Sequence, residues 1–131
     1  MISIIDYKAG NSTSVYNALN EIGIHSHLIQ CSEDLKQSRG IILPGVGSAK
    51  ETIKSLLEMN LLGELKKRVL VDKIPFLGIC VGLQVLFEYS EEDNTKCLNW
   101  IRGRVKNFHR KMYAFHKSVG IRWNSYKKTQ F

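Results

Sequence analysis

A cysteine set between two glycines, Gly78-Ile79-Cys80-Val81-Gly82, is the segment of this 131-residue chain whose residue types and spacing point most directly to covalent chemistry. The pattern G-x-C-x-G is the thiol counterpart of the G-x-S-x-G elbow, in which flanking glycines relieve backbone crowding at a tight strand-to-helix turn. Such a turn aims the sulfur outward and places it at a helix N-terminus. There the helix dipole and unpaired N–H groups favour the thiolate. The backbone N–H of Val81 would face the oxyanion that forms on an attacked carbonyl. The chemistry expected of Cys80 is therefore nucleophilic attack on an acyl carbon. The competing reading, a buried structural cysteine that ends a core strand, is the usual fate of a lone cysteine. That reading is taken for Cys31 and Cys97, which have no glycine bracket.

The elements that must position Cys80 follow from the apolar periodicity. Ile2–Asp6 reads as a buried strand. Val15, Ala18, Leu19 and Ile22 recur at helical spacing, with Asn11 or Ser12 as N-cap and Gly23 as the stop. Residues 24–30 and 40–43 read as two further strands, the second ended sharply by Pro44. Helical signals run from Ala49 to Leu57 and again from an N-cap at Asn60 through Leu70. Phe76–Ile79 is a short strand, and Gly82–Glu88 the helix after it. A strand is expected at 104–109 and a weaker one at 119–123. This β-α-β-α order predicts an α/β fold with a mostly parallel sheet flanked by helices. In such sheets ligands bind outside the carboxyl ends of the strands. Three loops fall there: Tyr7–Asn11, Pro44–Ser48 and the Cys80 turn.

Composition narrows the class. With 44% hydrophobic and 24% charged residues the chain reads as one globular domain. No apolar run approaches the roughly 20 residues needed to span a bilayer, and Met1 leads straight into a strand-like run with no basic segment before it, so no secretory signal is expected. Three cysteines without C-x-x-C spacing indicate neither a disulfide framework nor a zinc site. The expectation is a cytoplasmic protein with free thiols and no metal or cofactor, binding neither membrane nor nucleic acid. The net charge of +7 is uneven: residues 1–93 carry nine Lys/Arg against twelve Asp/Glu, whereas residues 94–131 carry ten Lys/Arg and no acid. The basic segment 94–131 is read as a solvated surface region, since no nucleic-acid motif accompanies it.

Beyond these readings, Leu77–Glu88 followed by Ser90-Glu91-Glu92 resembles the nucleophile motif of class I, triad-type glutamine amidotransferases. Ile4–Asn11, with Ser14-Val15 and Asn17-Ala18-Leu19, is similar to the opening of the glutaminase subunits of imidazole glycerol phosphate synthase. Ile42-Leu43-Pro44-Gly45-Val46-Gly47 resembles their oxyanion strand, and Asn99–Val105 their post-site strand. The resemblance covers residues 1–108. It implies a flavodoxin-like fold whose C-terminal strands are not contained in these residues. It also implies glutamine hydrolysis to glutamate and ammonia, the ammonia being channelled to a TIM-barrel cyclase partner that makes imidazole glycerol phosphate in histidine biosynthesis. Carried over by position, Cys80 is the nucleophile, Gly45, Val46 and Gly47 form the oxyanion strand, Val81 gives a second oxyanion N–H, and Gln84 and Glu92 hold the glutamine. The plainer alternatives are an exposed first-turn residue for Gln84 and a solvated acid for Glu92.

Three departures stand out. Lys8 occupies a position where the family usually has glycine, and is read as a loop residue of negative φ. Residues 117–124 keep the family's Trp123-Asn124 but not its preceding Pro-His. The family's base and orienting acid, a His-x-Glu pair, are absent: His25, His27, His109 and His116 are not followed two residues later by Glu, and no acid follows Asp93. A non-hydrolysing binding module, and an amidotransferase feeding surface-polysaccharide synthesis, are the alternative functions.

Overall fold

A computed structural model describes residues 1–107. Four parallel strands form the main sheet: β1 (Ile2–Ile5), β2 (Ser26–Ile29), β3 (Gly40–Gly45) and β4 (Phe76–Cys80), in the order β2-β1-β3-β4. Helices connect them: α1 (Ser12–Glu21), α2 (Ser32–Leu35), α3 (Ala49–Glu58), α4 (Leu62–Lys66), which runs on into a π-helical turn at Lys67–Val71, and α5 (Val81–Gln84) after β4. The expected α/β architecture and all four sheet strands are present.

One face of the sheet carries Ile5, Ile29, Ile41 and Leu43, which join Leu35, Leu56, Leu61, Leu65, Val81 and Val85 in a continuous buried core. Each such side chain removed from water contributes about 1.5–3 kcal/mol. Arg68 ties the layers together at a half-buried position. Its Nε donates to the Leu35 carbonyl at 3.1 Å, Nη2 to the Ser38 carbonyl at 2.8 Å and Nη1 to Asp72 at 2.6 Å. On the other face α1 packs over β2 and β1. Since β2 is an edge strand, the helix overhangs the sheet. Val15 and Leu19 are half-buried, while Ala18 and Ile22 of the expected apolar stripe are exposed, Ile22 to 68%.

Local chemistry explains where elements differ from expectation. Pro44 does not end β3, which continues to Gly45. The Ile41 N–H donates toward β4, to the Pro75 carbonyl. By alternation Pro44 presents its missing donor toward β1, where the ladder has already ended at Ile4↔Ile42. Asn60 does not cap α4. It lies at φ 53 just past the end of α3, and the Leu61 N–H reaches back to the Leu56 carbonyl at 3.0 Å, a Schellman-type stop. Gly23 at φ 72 ends α1 in the same way, with the Ile24 N–H on the Leu19 carbonyl at 2.9 Å. The helix after Cys80 is a single turn rather than the seven residues expected.

A second, small sheet follows, of β5 (Tyr89–Ser90), β6 (Thr95–Lys96) and β7 (Arg104–Val105) in the order β6-β5-β7. The Arg104 guanidinium lies 5.4 Å from the Tyr89 ring centroid. The strand expected at 104–109 is described only as β7, and the one at 119–123 lies outside the described residues.

Candidate active site

Cys80 ends β4 and opens α5 with φ 55 and ψ −117, a conformation that L-residues avoid at a cost of about 1–3 kcal/mol. What holds it there is backbone packed on backbone. In the register of β3 and β4, Cys80 stands beside Gly45. A Cβ on Gly82 would overlap the Leu43 carbonyl oxygen, and one on Gly45 would overlap the Gly82 nitrogen. A Cβ on Gly78 would lie 2.5 Å from the Gly82 oxygen and 2.7 Å from Leu83 Cα. Glycine at 45, 78 and 82 therefore lets the turn fold back against two strands with no side chain between. The Cys80 thiol is exposed at the carboxyl edge of the sheet. Because α5 is one turn long, the individual N–H groups at its start matter more than a summed dipole.

The segment after β3 lies alongside. Val46 and Gly47 are exposed, with Gly47 at φ 92. Ser48 then caps α3, its hydroxyl accepting the Glu51 N–H at 3.1 Å. Tyr7, only 6% exposed, packs into the core beneath this loop. Its hydroxyl is 3.4 Å from Thr52 Oγ1, and Thr52 donates to the Ser48 carbonyl at 3.1 Å. Burial raises the Tyr7 phenol above its ordinary range, the Thr52 hydroxyl and the Val46 backbone N–H oppose that shift, and the charge at Cys80 adds to it.

The third loop is anchored by Asp6. Its carboxylate accepts from Ser12 Oγ at 2.7 Å, Gln30 Nε2 at 2.8 Å and the Lys8 N–H at 3.3 Å. The hydrogen bonds from Ser12 and Gln30 hold its pKa below the ordinary value, with Lys8 adding to the effect against a partial burial penalty. Lys8 itself has φ 66, contrary to the negative φ expected of it. The backbone there takes a conformation suited to glycine, and the lysine side chain is carried in it nonetheless.

Gln84 is half-buried at the end of α5, not the exposed residue of its plainer reading. Glu92 is exposed. Its neighbour Asp93 accepts the Lys50 N–H at 3.4 Å, which sets the 91–93 turn against the start of α3, the helix that follows Gly45–Gly47. Cys31 is exposed, contrary to the buried role expected, and its thiol points to Asp34 Oδ2 at 3.1 Å. Cys97 is half-buried, and burial raises its pKa. His25 and His27 stand at the amino end of β2, away from the Cys80 edge, with His27 Nε2 3.4 Å from Ser3 Oγ. His109 and His116, and the 117–124 segment, lie outside the described residues. Among the described residues no group of three or more His, Cys, Asp or Glu side chains is arranged to hold a metal ion, and no helix is long and apolar enough to cross a membrane. Tyr7 and Thr52 carry no motif that singles them out in the sequence. The available signal is Tyr7's place in the first carboxyl-edge loop.

A four-stranded parallel sheet with a cysteine elbow at its carboxyl edge is an α/β arrangement that presents a thiol where ligands of such sheets bind. The chain belongs to the class-I glutamine amidotransferase family, whose model matches residues 3–129. It is 42% identical over 135 residues to the imidazole glycerol phosphate synthase subunit HisH of Maridesulfovibrio salexigens, a match covering 99% of this chain and 63% of that protein. It is 37% identical to the protein of the same name from Leptospira borgpetersenii, covering 99% and 64%. A third such subunit, from Dehalococcoides mccartyi, is 45% identical over 81% of this chain and 52% of its own. The chain thus spans about 63% of the length of the first of these relatives. A crystal structure of a glutamine amidotransferase superposes with a TM-score of 0.69 at 21% identity, covering 79% of this chain and 54% of the other, and shares the fold.

Proposed function

We propose that this chain is the glutaminase part of an imidazole glycerol phosphate synthase, with Cys80 as its nucleophile. The observation that carries the reading is the backbone of Cys80 itself, φ 55 and ψ −117, held beside Gly45 by glycines at 45, 78 and 82. The relatives that share up to 45% identity carry the name of that synthase's HisH subunit.

In this reading the Cys80 thiolate attacks the side-chain carbonyl carbon of glutamine. The N–H groups of Val81 and of the Gly45–Gly47 segment, Val46 among them, hold the resulting oxyanion. Collapse breaks the C–N bond, and ammonia leaves on taking a proton. Water then hydrolyses the glutamyl thioester, releasing glutamate and restoring the thiol. Gln84, half-buried on the turn that follows Cys80, and Glu92, beside the start of α3, hold the glutamine. The proton transfers require a base. His25 and His27 are at the wrong end of the sheet, so the base comes from outside residues 1–107. The ammonia passes to a cyclase subunit of TIM-barrel fold in a cytoplasmic heterodimer serving histidine biosynthesis.

The test is glutamate release with the cyclase subunit present, for the chain and for Cys80→Ala. Turnover that falls by at least about 10³-fold in the variant supports the assignment. Turnover that survives the substitution contradicts it.

A further inference from the structure

The Gly45–Gly47 segment lies at the exposed edge of the sheet, and Val46 is 54% exposed. Oxyanion donors are effective only when their direction is fixed before the charge develops. A loop with an exposed valine and a glycine at φ 92 does not fix itself. Something beneath it must.

We propose that Tyr7, acting through Thr52, is the positioning residue that fixes the oxyanion segment beside Cys80. The inference rests on the glutaminase reading of the Cys80 site.

Two observations carry it. First, the Tyr7 ring is wedged under the end of β3. A Cβ on Gly10 would meet Tyr7 Cε1 at 2.8 Å and the Pro44 carbonyl oxygen at 3.0 Å, so ring and strand end flank one small space that only glycine leaves open. Second, the hydrogen bonds have a direction. Thr52 spends its proton on the Ser48 carbonyl at 3.1 Å, so across the 3.4 Å contact the Tyr7 hydroxyl is the donor and Thr52 Oγ1 the acceptor. Tyr7 and Thr52 together therefore brace the segment, with the Tyr7 ring beside the Pro44 carbonyl at one end and the Ser48 carbonyl held by Thr52 at the other. Tyr7 touches no substrate in this arrangement.

The test compares two alkylating reagents on the full chain, with sites located by peptide mapping. A chloroketone analogue of glutamine needs its carbonyl polarised as the Cys80 thiolate displaces chloride, so its rate reads the oxyanion donors. Iodoacetamide needs no such donors and reads the thiol alone. Tyr7→Phe, which keeps the ring, and Thr52→Val, which keeps the shape, are each expected to slow the chloroketone about tenfold relative to iodoacetamide. Thr52→Ser, which keeps the hydroxyl, should restore the ratio. The double variant Tyr7→Phe/Thr52→Val should lose no more than either single one, as two links of one chain do. A ratio unchanged in Tyr7→Phe overturns the proposal. So does an equal fall for both reagents, which marks a general loss of structure. If the unsubstituted chain is not labelled by the chloroketone at Cys80, the glutaminase reading itself fails, a result separate from any difference between variants.

Discussion

Among the residues with side chains that stand at positive φ on the carboxyl edge of the sheet, Cys80 at 55 and Lys8 at 66 are held there by different means. At Cys80 the conformation is enforced by packing. Glycines 45, 78 and 82 bring β3, β4 and α5 into backbone contact, with no room between them for a side chain. At Lys8 the residue itself is exposed, and the local ties run through the Asp6 carboxylate to Ser12, Gln30 and the Lys8 N–H. Strain that packing over-determines persists and can serve a site. Strain held by a few solvent-facing hydrogen bonds is removable without consequence for the neighbours.

The contrast makes graded predictions. The largest effect is expected for Gly82→Ala, whose Cβ would overlap the Leu43 carbonyl: a loss of about 3 kcal/mol or more in denaturant unfolding, or failure to fold. A shift below about 1 kcal/mol would show that the turn yields and that packing does not enforce it. Next, Cys80→Gly should separate stability from function. It relieves positive φ and raises stability by about 1 kcal/mol relative to Cys80→Ala, while both variants release no glutamate. Lys8→Gly, by relieving the same kind of strain at the weaker-held position, should stabilise the chain by about 0.5–1 kcal/mol and leave chloroketone labelling of Cys80 unaltered.

The smallest effect is pH dependence at Asp6. Its folded pKa is depressed below 3.8, so its contribution to stability is present above that value and is lost as pH falls through the lower folded value. Thermal melts between about pH 6 and pH 3 should show a shallower acid limb for Asp6→Asn. Equal acid limbs would mean that the loop does not depend on this carboxylate. Tyr7 has the opposite sign: its phenol is raised, so stability is unaffected below pH 10 and falls as pH rises beyond it.

Much of this is legible in the sequence. The four strands are short runs between helix-period segments, and each is readable within a few residues. The elbow is readable because glycine two positions either side of a cysteine suits a tight strand-to-helix turn and little else. What escapes is the conformation of single residues. Nothing in the letters around Lys8 shows φ 66. Pro44 reads as a strand breaker by residue type, yet its missing donor faces the side where β1 has already ended, a fact of register rather than of composition. Cys31 is expected inside and lies outside, since a residue following a strand end has no periodicity to place it. The hydroxyl pair of Tyr7 and Thr52 joins positions 45 residues apart, and no local pattern signals it.

The central claim is that the glycine-packed turn makes Cys80, among three free thiols, the one that recognises a glutamine-shaped electrophile. The direct measurement is peptide-mapped labelling of the chain with the chloroketone analogue of glutamine, with free glutamine as competitor. Cys80 should carry the adduct, protected by glutamine, while Cys31, although also exposed, and Cys97 remain unmodified. Labelling of Cys31 equal to that of Cys80, or labelling of Cys80 that glutamine does not slow, would contradict the account.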